Sequence, residues 1–380
     1  MGIESLLAGI TATLERPAAE PWPAIMAAVP RTAFLPDLVW VRDGRGGHRL
    51  LDRTSESEAW EAAAYSDQPL VTEFTVFGGA RVPLSSASAP STVVRLLEDA
   101  QLSSTSRVLE IGTGTGYNTA LLCARCPEGS VVSLDVVPEL SALARRSLHA
   151  IGHRPAVITA NGTEGWSALA PYSHILATCS VRSVPAKWLE QTEPGGRIVT
   201  PWDSPWTCYG TLVLSKQQDG SAVGRFAAHG SYMLISTQRV ATDLDDVRKP
   251  GQTPDTGTTS LSPWDVAGED LDAQFHLGLS VRDVWHSWDT SGEDAPVRLW
   301  LADTGGDSWA CVDWDGHQAR TFATGQFGAR RLWDEIASSH AWWSAAGRPH
   351  VARYGMTVTA EGLHIPWLDT PAATVPLSGS

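Results

Sequence analysis

Cysteine is scarce in this chain, with five in 380 residues, too few and too scattered for a disulfide framework. Cys123 and Cys126 have the spacing of a redox pair, but they fall in a helical stretch and no second pair completes a zinc site. They read as small apolar residues one turn apart, and no metal site is expected. Basic residues are in deficit as well: 28 Lys and Arg against 42 Asp and Glu leave a net charge of -14. That balance excludes the broad basic face of a general nucleic-acid binder, though not a peptide substrate, particularly one with basic segments. No apolar run is long enough to span a bilayer, and the first residues lack the basic-then-apolar layout of a secretory signal. Leu6 occupies the place where a myristoylation motif has Ser or Thr, so the expected address is cytoplasmic. Tryptophan, by contrast, is abundant, with 17 residues.

The most informative stretch is Val-Leu-Glu-Ile-Gly-Thr-Gly-Thr-Gly-Tyr at 108–117. A buried apolar run ends in an acid and passes into three glycines at alternate positions, the pattern of a strand, a tight turn and a helix over 118–126. Glycine suits such a turn because the backbone bends sharply and a ligand can lie against it. A dinucleotide fingerprint has its third glycine one place later, where this chain has the bulky Tyr117. Glu110 is a poor neighbour for a pyrophosphate but suits a cofactor bearing an ammonium and a sulfonium. Asp135 ends a second strand, 131–135, roughly 20 residues after the glycines, where a carboxylate can take both ribose hydroxyls. Together these features favour S-adenosylmethionine over a nicotinamide dinucleotide.

Upstream, residues 3–14 carry apolar side chains at helical spacing and 22–29 form a second short helix ended by Pro30. Residues 42–48 read as an exposed Gly-Arg loop and 71–82 as one extended segment. The run Ser85-Ser86-Ala87-Ser88-Ala89-Pro90-Ser91 stands before an amphipathic helix at 92–100. At least one serine is expected to cap that helix, whose start also presents hydroxyls and N–H groups to a ligand. Strands and helices then alternate through 131–200, which indicates a parallel α/β sheet with its ligand at the carboxyl ends of the strands. Residues 207–214 and 224–232 are β-like and close the sheet, and 242–263 reads as a linker. Residues 264–380 read as a separate α+β domain, with strands at 275–281, 297–301, 309–314, 356–360 and 363–367 and one helix at 329–345. It holds ten of the tryptophans, most of them expected in its core and a minority in a peptide groove.

The ordered set Val29-Pro30-Arg31 with Phe34 and Pro36, Tyr65 with Asp67-Gln68-Pro69-Leu70, Ser88-Ala89-Pro90, the glycine turn, Asp135, Gly162 with Gly165-Trp166, Ala170-Pro171-Tyr172, and Pro194-Gly195-Gly196-Arg197 resembles the protein-L-isoaspartate O-methyltransferase family. The resemblance covers about the first 235 residues. It implies a class I methyltransferase (Rossmann-like) fold with a mostly parallel sheet, S-adenosylmethionine as cofactor, and carboxyl methylation of an aspartyl or isoaspartyl residue. By position, Ser88 resembles the substrate-side serine, with Ser86 a second candidate. The expected cofactor contacts are Glu110, Gly112, Thr113, Gly114, Tyr117, Asp135, Val136, Asn161 and Gly162. Asn161 stands where the family commonly has an acid near the adenine, and an amide can still accept from the adenine amino group.

The resemblance also implies repair enzymes much shorter than this chain, with nothing like residues 264–380. A longer form is similar to the methyltransferases of ribosomally made, modified peptides, which esterify one Asp of a precursor that then closes to an aspartimide and can hydrolyse to isoaspartate. On that reading the partner is a precursor peptide, macrocyclised before methylation. The chain divides into an N-terminal segment of the methyltransferase (1–80), a cofactor-binding core (81–241), the linker (242–263) and a C-terminal recognition domain (264–380). Housekeeping isoaspartyl repair is the alternative, and a non-catalytic peptide binder the more distant one.

Overall fold

The structure is a computed structural model and describes residues 2–240, 243–290, 297–316 and 320–378. The chain opens with helices α1 (Ile3–Leu14) and α2 (Trp22–Ala28), followed by strands β1 (Leu38–Arg42) and β2 (His48–Asp52) and helix α3 (Ser57–Ala64). Strands β3 (Leu70–Phe77) and β4 (Ala80–Ala87) lead into α4 (Pro90–Ala100). Then come β5 (Val108–Ile111), α5 (Tyr117–Arg125), β6 (Val131–Asp135), α6 (Pro138–Ala150), β7 (Ala156–Thr159), β8 (Tyr172–Ala177) and α7 (Ala186–Gln191). Strands β9 (Thr192–Asp203), β10 (Cys208–Lys216) and β11 (Ala222–Ala227) follow. The remainder comprises α8 (Leu244–Val247), β12 (Asp255–Thr259), α9 (Pro263–Ala267), α10 (Leu271–Ser280), β13 (Val284–Asp289), β14 (Val297–Asp303), β15 (Trp309–Trp314), β16 (Phe322–Phe327), α11 (Leu332–Ala345), β17 (Tyr354–Val358) and β18 (His364–Leu368).

Among the described residues the central sheet has the order β18-β17-β11-β10-β9-β8-β5-β6-β7. Strands β7, β6, β5, β8 and β9 run parallel, and the four beyond β9 are antiparallel. The chain leaves β5 toward β6 on one side and returns to β8 on the other, so a crevice opens above β5 at the carboxyl ends of the strands. One face of the sheet packs on α1, α2, α4, α5 and α6 through Ile10, Met26, Val93, Leu97 and Leu121. The other face carries Trp188, Trp202, Phe226, Phe275 and Tyr354.

Helix α4 shows the local logic. Pro90 sits in its first turn, Val93, Val94, Leu96, Leu97 and Ala100 are buried, and Gln101 ends it in the left-handed conformation. The expected serine cap is absent: Ala89 holds the cap position, and the Ser91 N–H is taken by Asp67 Oδ1 at 2.8 Å. The side chain that satisfies the helix start therefore comes from a remote loop.

Other expectations change in the same region. Residues 71–82 are not one strand, because Gly78 and Gly79 take φ of +57° and +77° and fold β3 back onto β4. The Gly-Arg loop is shorter than expected and joins the ends of β1 and β2.

The C-terminal part departs further. Residues 275–281 lie largely in α10, whose start is capped by Asp270 accepting from Asp272 and Ala273 N–H. Of the expected linker, 242–263, the described residues 243–263 are structured: Val247 is buried with Trp300 and Trp309, and β12 pairs with β16 at the edge of a second sheet, β12-β16-β15-β14-β13. Strands β17 and β18 leave that unit and extend the central sheet by pairing β17 with β11. The second sheet is thus the additional C-terminal unit that was expected, and β17 and β18 tie it to the methyltransferase sheet. His276 lies in that junction, with the Tyr354 hydroxyl 3.0 Å from Nδ1, Ser339 Oγ 3.0 Å from Nε2 and Trp342 stacked on the ring.

Candidate active site

The turn after β5 is held at the end of β6 by Gly112 N–H and Thr113 N–H, both donating to the Leu134 carbonyl at 2.8 and 3.0 Å. Gly112 has φ +98°, and a Cβ there would lie 2.6 Å from Thr178 Oγ1. Gly114 has φ +51° but only ordinary contacts at 4.0 Å, to Ser85 Oγ and the Ser86 carbonyl. The two glycines therefore differ: at 112 the protein itself needs the space, whereas at 114 the space belongs to the cavity.

Asp135, at the end of β6, accepts Gly114 N–H on Oδ2 at 2.8 Å and Val137 N–H on Oδ1 at 2.9 Å. Each oxygen keeps a lone pair for a further donor, which suits a vicinal diol. Burial raises its carboxyl, while the N–H groups of Val137, Gly114 and Val136 hold it down.

Around this turn lies a cavity of about 660 Å³. Gly112, Thr113, Gly114, Tyr117, Asp135, Val136, Asn161 and Gly162 line it, and so do Ser86 and Ser88 on the opposite side. Of the expected contacts only Glu110 is missing from the lining. It is fully buried beneath the turn, where its oxygens accept from Asn118 Nδ2 at 2.7 Å, Thr119 Oγ1 and Ser133 Oγ at 2.6 Å. Burial pushes its carboxyl up to about 7, against the pull of those three hydrogen bonds. The Glu110 carboxylate therefore lies behind the turn rather than on the cavity wall. Asn161 differs in detail: its Oδ1 already accepts Thr163 N–H at 3.1 Å and the Thr163 hydroxyl at 2.9 Å, which leaves the amide N–H group as the ready donor.

The serine shelf is built from the end of β4. Ser85 is buried, and its Oγ accepts from Thr72 Oγ1 at 2.9 Å, which leaves its own proton free to donate. Ser88 has its carbonyl held by Arg31. The Arg31 guanidinium is 1% exposed and donates to five carbonyls, of Ala64, Ser66, Gln68, Ala87 and Ser88, at 3.0–3.2 Å. Burial lowers it to about 10, so it remains a cation at neutral pH, and no carboxylate pairs with it among the described residues.

Sequence reasoning missed Ser85, Thr178, Cys179, the segment 231–236 and Arg239, all of which line the cavity. Thr178 and Cys179 follow β8, the neighbour of β5, so the strand-end rule would have found them. Segment 231–236 carried no such signal, since it is brought in by Ser180 N–H donating to the Met233 carbonyl and Ile235 N–H donating to the Ser180 carbonyl. Burial pushes the Cys179 thiol up to about 12, which keeps it protonated and unsuited to nucleophilic work. No cluster of metal-ligating side chains occurs among the described residues.

The residues fit S-adenosylmethionine. Gly114 leaves room where a ligand would lie, Asp135 offers two lone pairs, and the buried Tyr117 hydroxyl and Asn118 Oδ1 lack hydrogen-bond partners among the described residues. A parallel sheet with this turn, this acid and this cavity defines a class I methyltransferase.

Comparison with known proteins narrows the class. A sequence model of protein-L-isoaspartate(D-aspartate) O-methyltransferase matches residues 50–239. The protein-L-isoaspartate O-methyltransferase of Thermococcus onnurineus is 34% identical over 189 residues, 49% of this chain and 79% of that one. That of Pyrococcus horikoshii is 37% identical over 149 residues, 39% of this chain and 66% of that one. A solved structure titled protein-L-isoaspartate O-methyltransferase shares the fold with a TM-score of 0.55 at 18% identity, over 97% of this chain and 100% of that one. The chain belongs to the protein-L-isoaspartate O-methyltransferase family, whose members are S-adenosylmethionine-dependent carboxyl methyltransferases. The fold likeness runs through the C-terminal part, so an extension of this size does not by itself set the chain outside that fold.

Proposed function

We propose that the chain transfers a methyl group from S-adenosylmethionine to the free carboxylate of L-isoaspartyl residues in proteins. One observation carries the reading: the serine shelf and the glycine turn face each other across a single cavity, with Ser85 Oγ and the Ser86 carbonyl 4.0 Å from where a Cβ on Gly114 would stand. When bound, the cofactor supplies an electrophilic methyl group on a sulfonium. The incoming carboxylate, with a reference pKa of about 4, is roughly 99.9% ionised at pH 7, so no general base is needed. The work left to the protein is to align the carboxylate and strip part of its water. Ser85, Ser86 and Ser88 are neutral donors that orient a carboxylate without quenching its charge, as a close Arg pair would.

Methylation of one Asp in a macrocyclised precursor peptide uses the same chemistry, and it asks for recognition surface from residues 264–380. Among the described residues none beyond Arg239 lines the cavity; of the C-terminal tryptophans, Trp300, Trp309, Trp333, Trp343 and Trp367 are buried in cores and Trp264, Trp285, Trp288, Trp314 and Trp342 are half-buried. What supports the isoaspartyl substrate is the family match and the relatives named protein-L-isoaspartate O-methyltransferase. The test is methyl transfer to paired peptides that differ only in L-isoaspartyl or L-aspartyl at one position.

A further inference from the structure

The small sheet formed by β1 to β4 has two unlike faces. One buries Val39, Leu51 and Leu70 against α3, which contributes Trp60. The other carries Trp40, Arg42, His48, Phe74 and Arg81, of which Arg42, His48 and Arg81 are exposed and Trp40 and Phe74 half-buried. Trp40 meets Phe74 edge-on at 5.4 Å, His48 does so at 5.3 Å, and Arg81 stands 4.0 Å over the Phe74 ring. Leu38 and Leu50, on the same face by register with Trp40, are 44% and 42% exposed. This face runs into the active-site cavity, whose lining includes Arg42, His48, Val71 and Pro83.

Charge makes the face selective. Arg49 and Arg53 of the neighbouring strand and turn are paired with Glu56 and Asp37. Arg42 and Arg81 have no carboxylate partner among the described residues, so two cations stand open on a molecule whose net charge is -14. The net charge of the chain disfavours acidic polypeptides in general, whereas this face attracts them.

We propose that the polypeptide flanking the target residue docks across the open face of the β1–β4 sheet, and that Arg42 and Arg81 select substrates with acidic residues beside the modified carboxylate. The inference rests on the isoaspartyl-methylation reading. The occupant is a polypeptide because the cavity at the end of the face receives a carboxylate, and the acidic remainder of the molecule disfavours a nucleic-acid backbone. Whole-chain charge, which leaves room for a basic peptide, hides this local patch of the opposite sign.

The test uses three L-isoaspartyl peptides identical except for four flanking residues, which are Glu, Gln or Lys. The full chain should show kcat/KM falling in that order, with roughly a tenfold spread between Glu and Lys at low salt that closes at high salt. In the Arg42→Gln/Arg81→Gln variant the three values should converge, and in the Arg42→Glu/Arg81→Glu variant the order should invert. Circular dichroism and a melting curve establish that each variant is folded. Equal values in the wild type, a spread that persists in the double variant, or displacement of the Glu peptide by a single-stranded oligonucleotide as readily as by polyglutamate would each overturn the inference while leaving methylation in place. Absence of turnover on every peptide would instead contradict the functional reading beneath it.

Discussion

The Arg31 guanidinium donates to the Ser88 carbonyl at 3.0 Å, across 57 residues of sequence. The same cation holds the Ala64 carbonyl at the end of α3 and the Ser66 and Gln68 carbonyls in the loop before β3, so one buried charge ties together the sequence stretches at 29–36, 65–70 and 88–90. Arg31→Met should cost about 3 kcal/mol or more in urea unfolding, because several carbonyls lose a charged donor at once. Arg31→Lys keeps the charge but has three donors in place of five. It should lower kcat roughly tenfold through a misplaced serine shelf while leaving S-adenosylhomocysteine affinity near wild type. A wild-type kcat in a folded Arg31→Lys protein would contradict that role.

The cofactor side gives a separate test. Asp135→Ala removes both acceptors offered to the ribose and should weaken S-adenosylhomocysteine binding by about 1.5–3 kcal/mol in a calorimetric titration. Gly114→Val places its branches in the cavity and adds backbone strain of about 1–2 kcal/mol at φ +51°, so it should abolish binding in a protein that still melts cooperatively. Unchanged affinity in both variants would move the cofactor elsewhere.

Much of this site was legible in the sequence because its parts are local. A strand ending in an acid, alternate glycines, and a second strand ending in Asp135 are readable without tertiary knowledge. What escaped depends on distant pairing. Asp67, not a serine, satisfies the Ser91 N–H at the start of α4, because the cap arrives from 24 residues upstream. Glu110 reads as a ligand contact, yet three side-chain donors below the turn draw it inward. Strands β17 and β18 look like part of a separate unit because nothing in their alternation reveals that β11 has a free edge for them.

Glu110 also predicts a proton linkage. Its folded value of about 7 lies above the unfolded value of about 4.3, so its contribution to stability is complete below the unfolded value and is lost as pH rises through 7. A cation bound over the turn favours the carboxylate and so lowers this value. Cofactor binding at pH 7 should release a proton and tighten between pH 6 and 8. Calorimetry in buffers of different ionisation enthalpy reads the release directly, and buffer-independent enthalpies would contradict it.

At the C-terminal junction the sign is opposite. Burial pushes His276 down to about 4, below its unfolded value of about 6.5. The stability it supports is complete above the unfolded value and disappears as pH falls through 4, a loss of roughly 3 kcal/mol. His276→Gln should be less stable at pH 7.5, where the Tyr354 and Ser339 contacts are lost, and should show a shallower decline toward pH 4.5. Parallel pH curves for the two proteins would show that another group dominates.

The measurement that bears most directly on the central claim is methyl transfer from isotopically labelled S-adenosylmethionine to a matched peptide pair, one with L-isoaspartyl and one with L-aspartyl at the same position. Mass spectrometry should show a methyl ester on the isoaspartyl peptide, decaying to a succinimide one water lighter than the starting peptide, with the aspartyl peptide unmodified. Ester on neither peptide, or on the aspartyl peptide alone, would contradict the account.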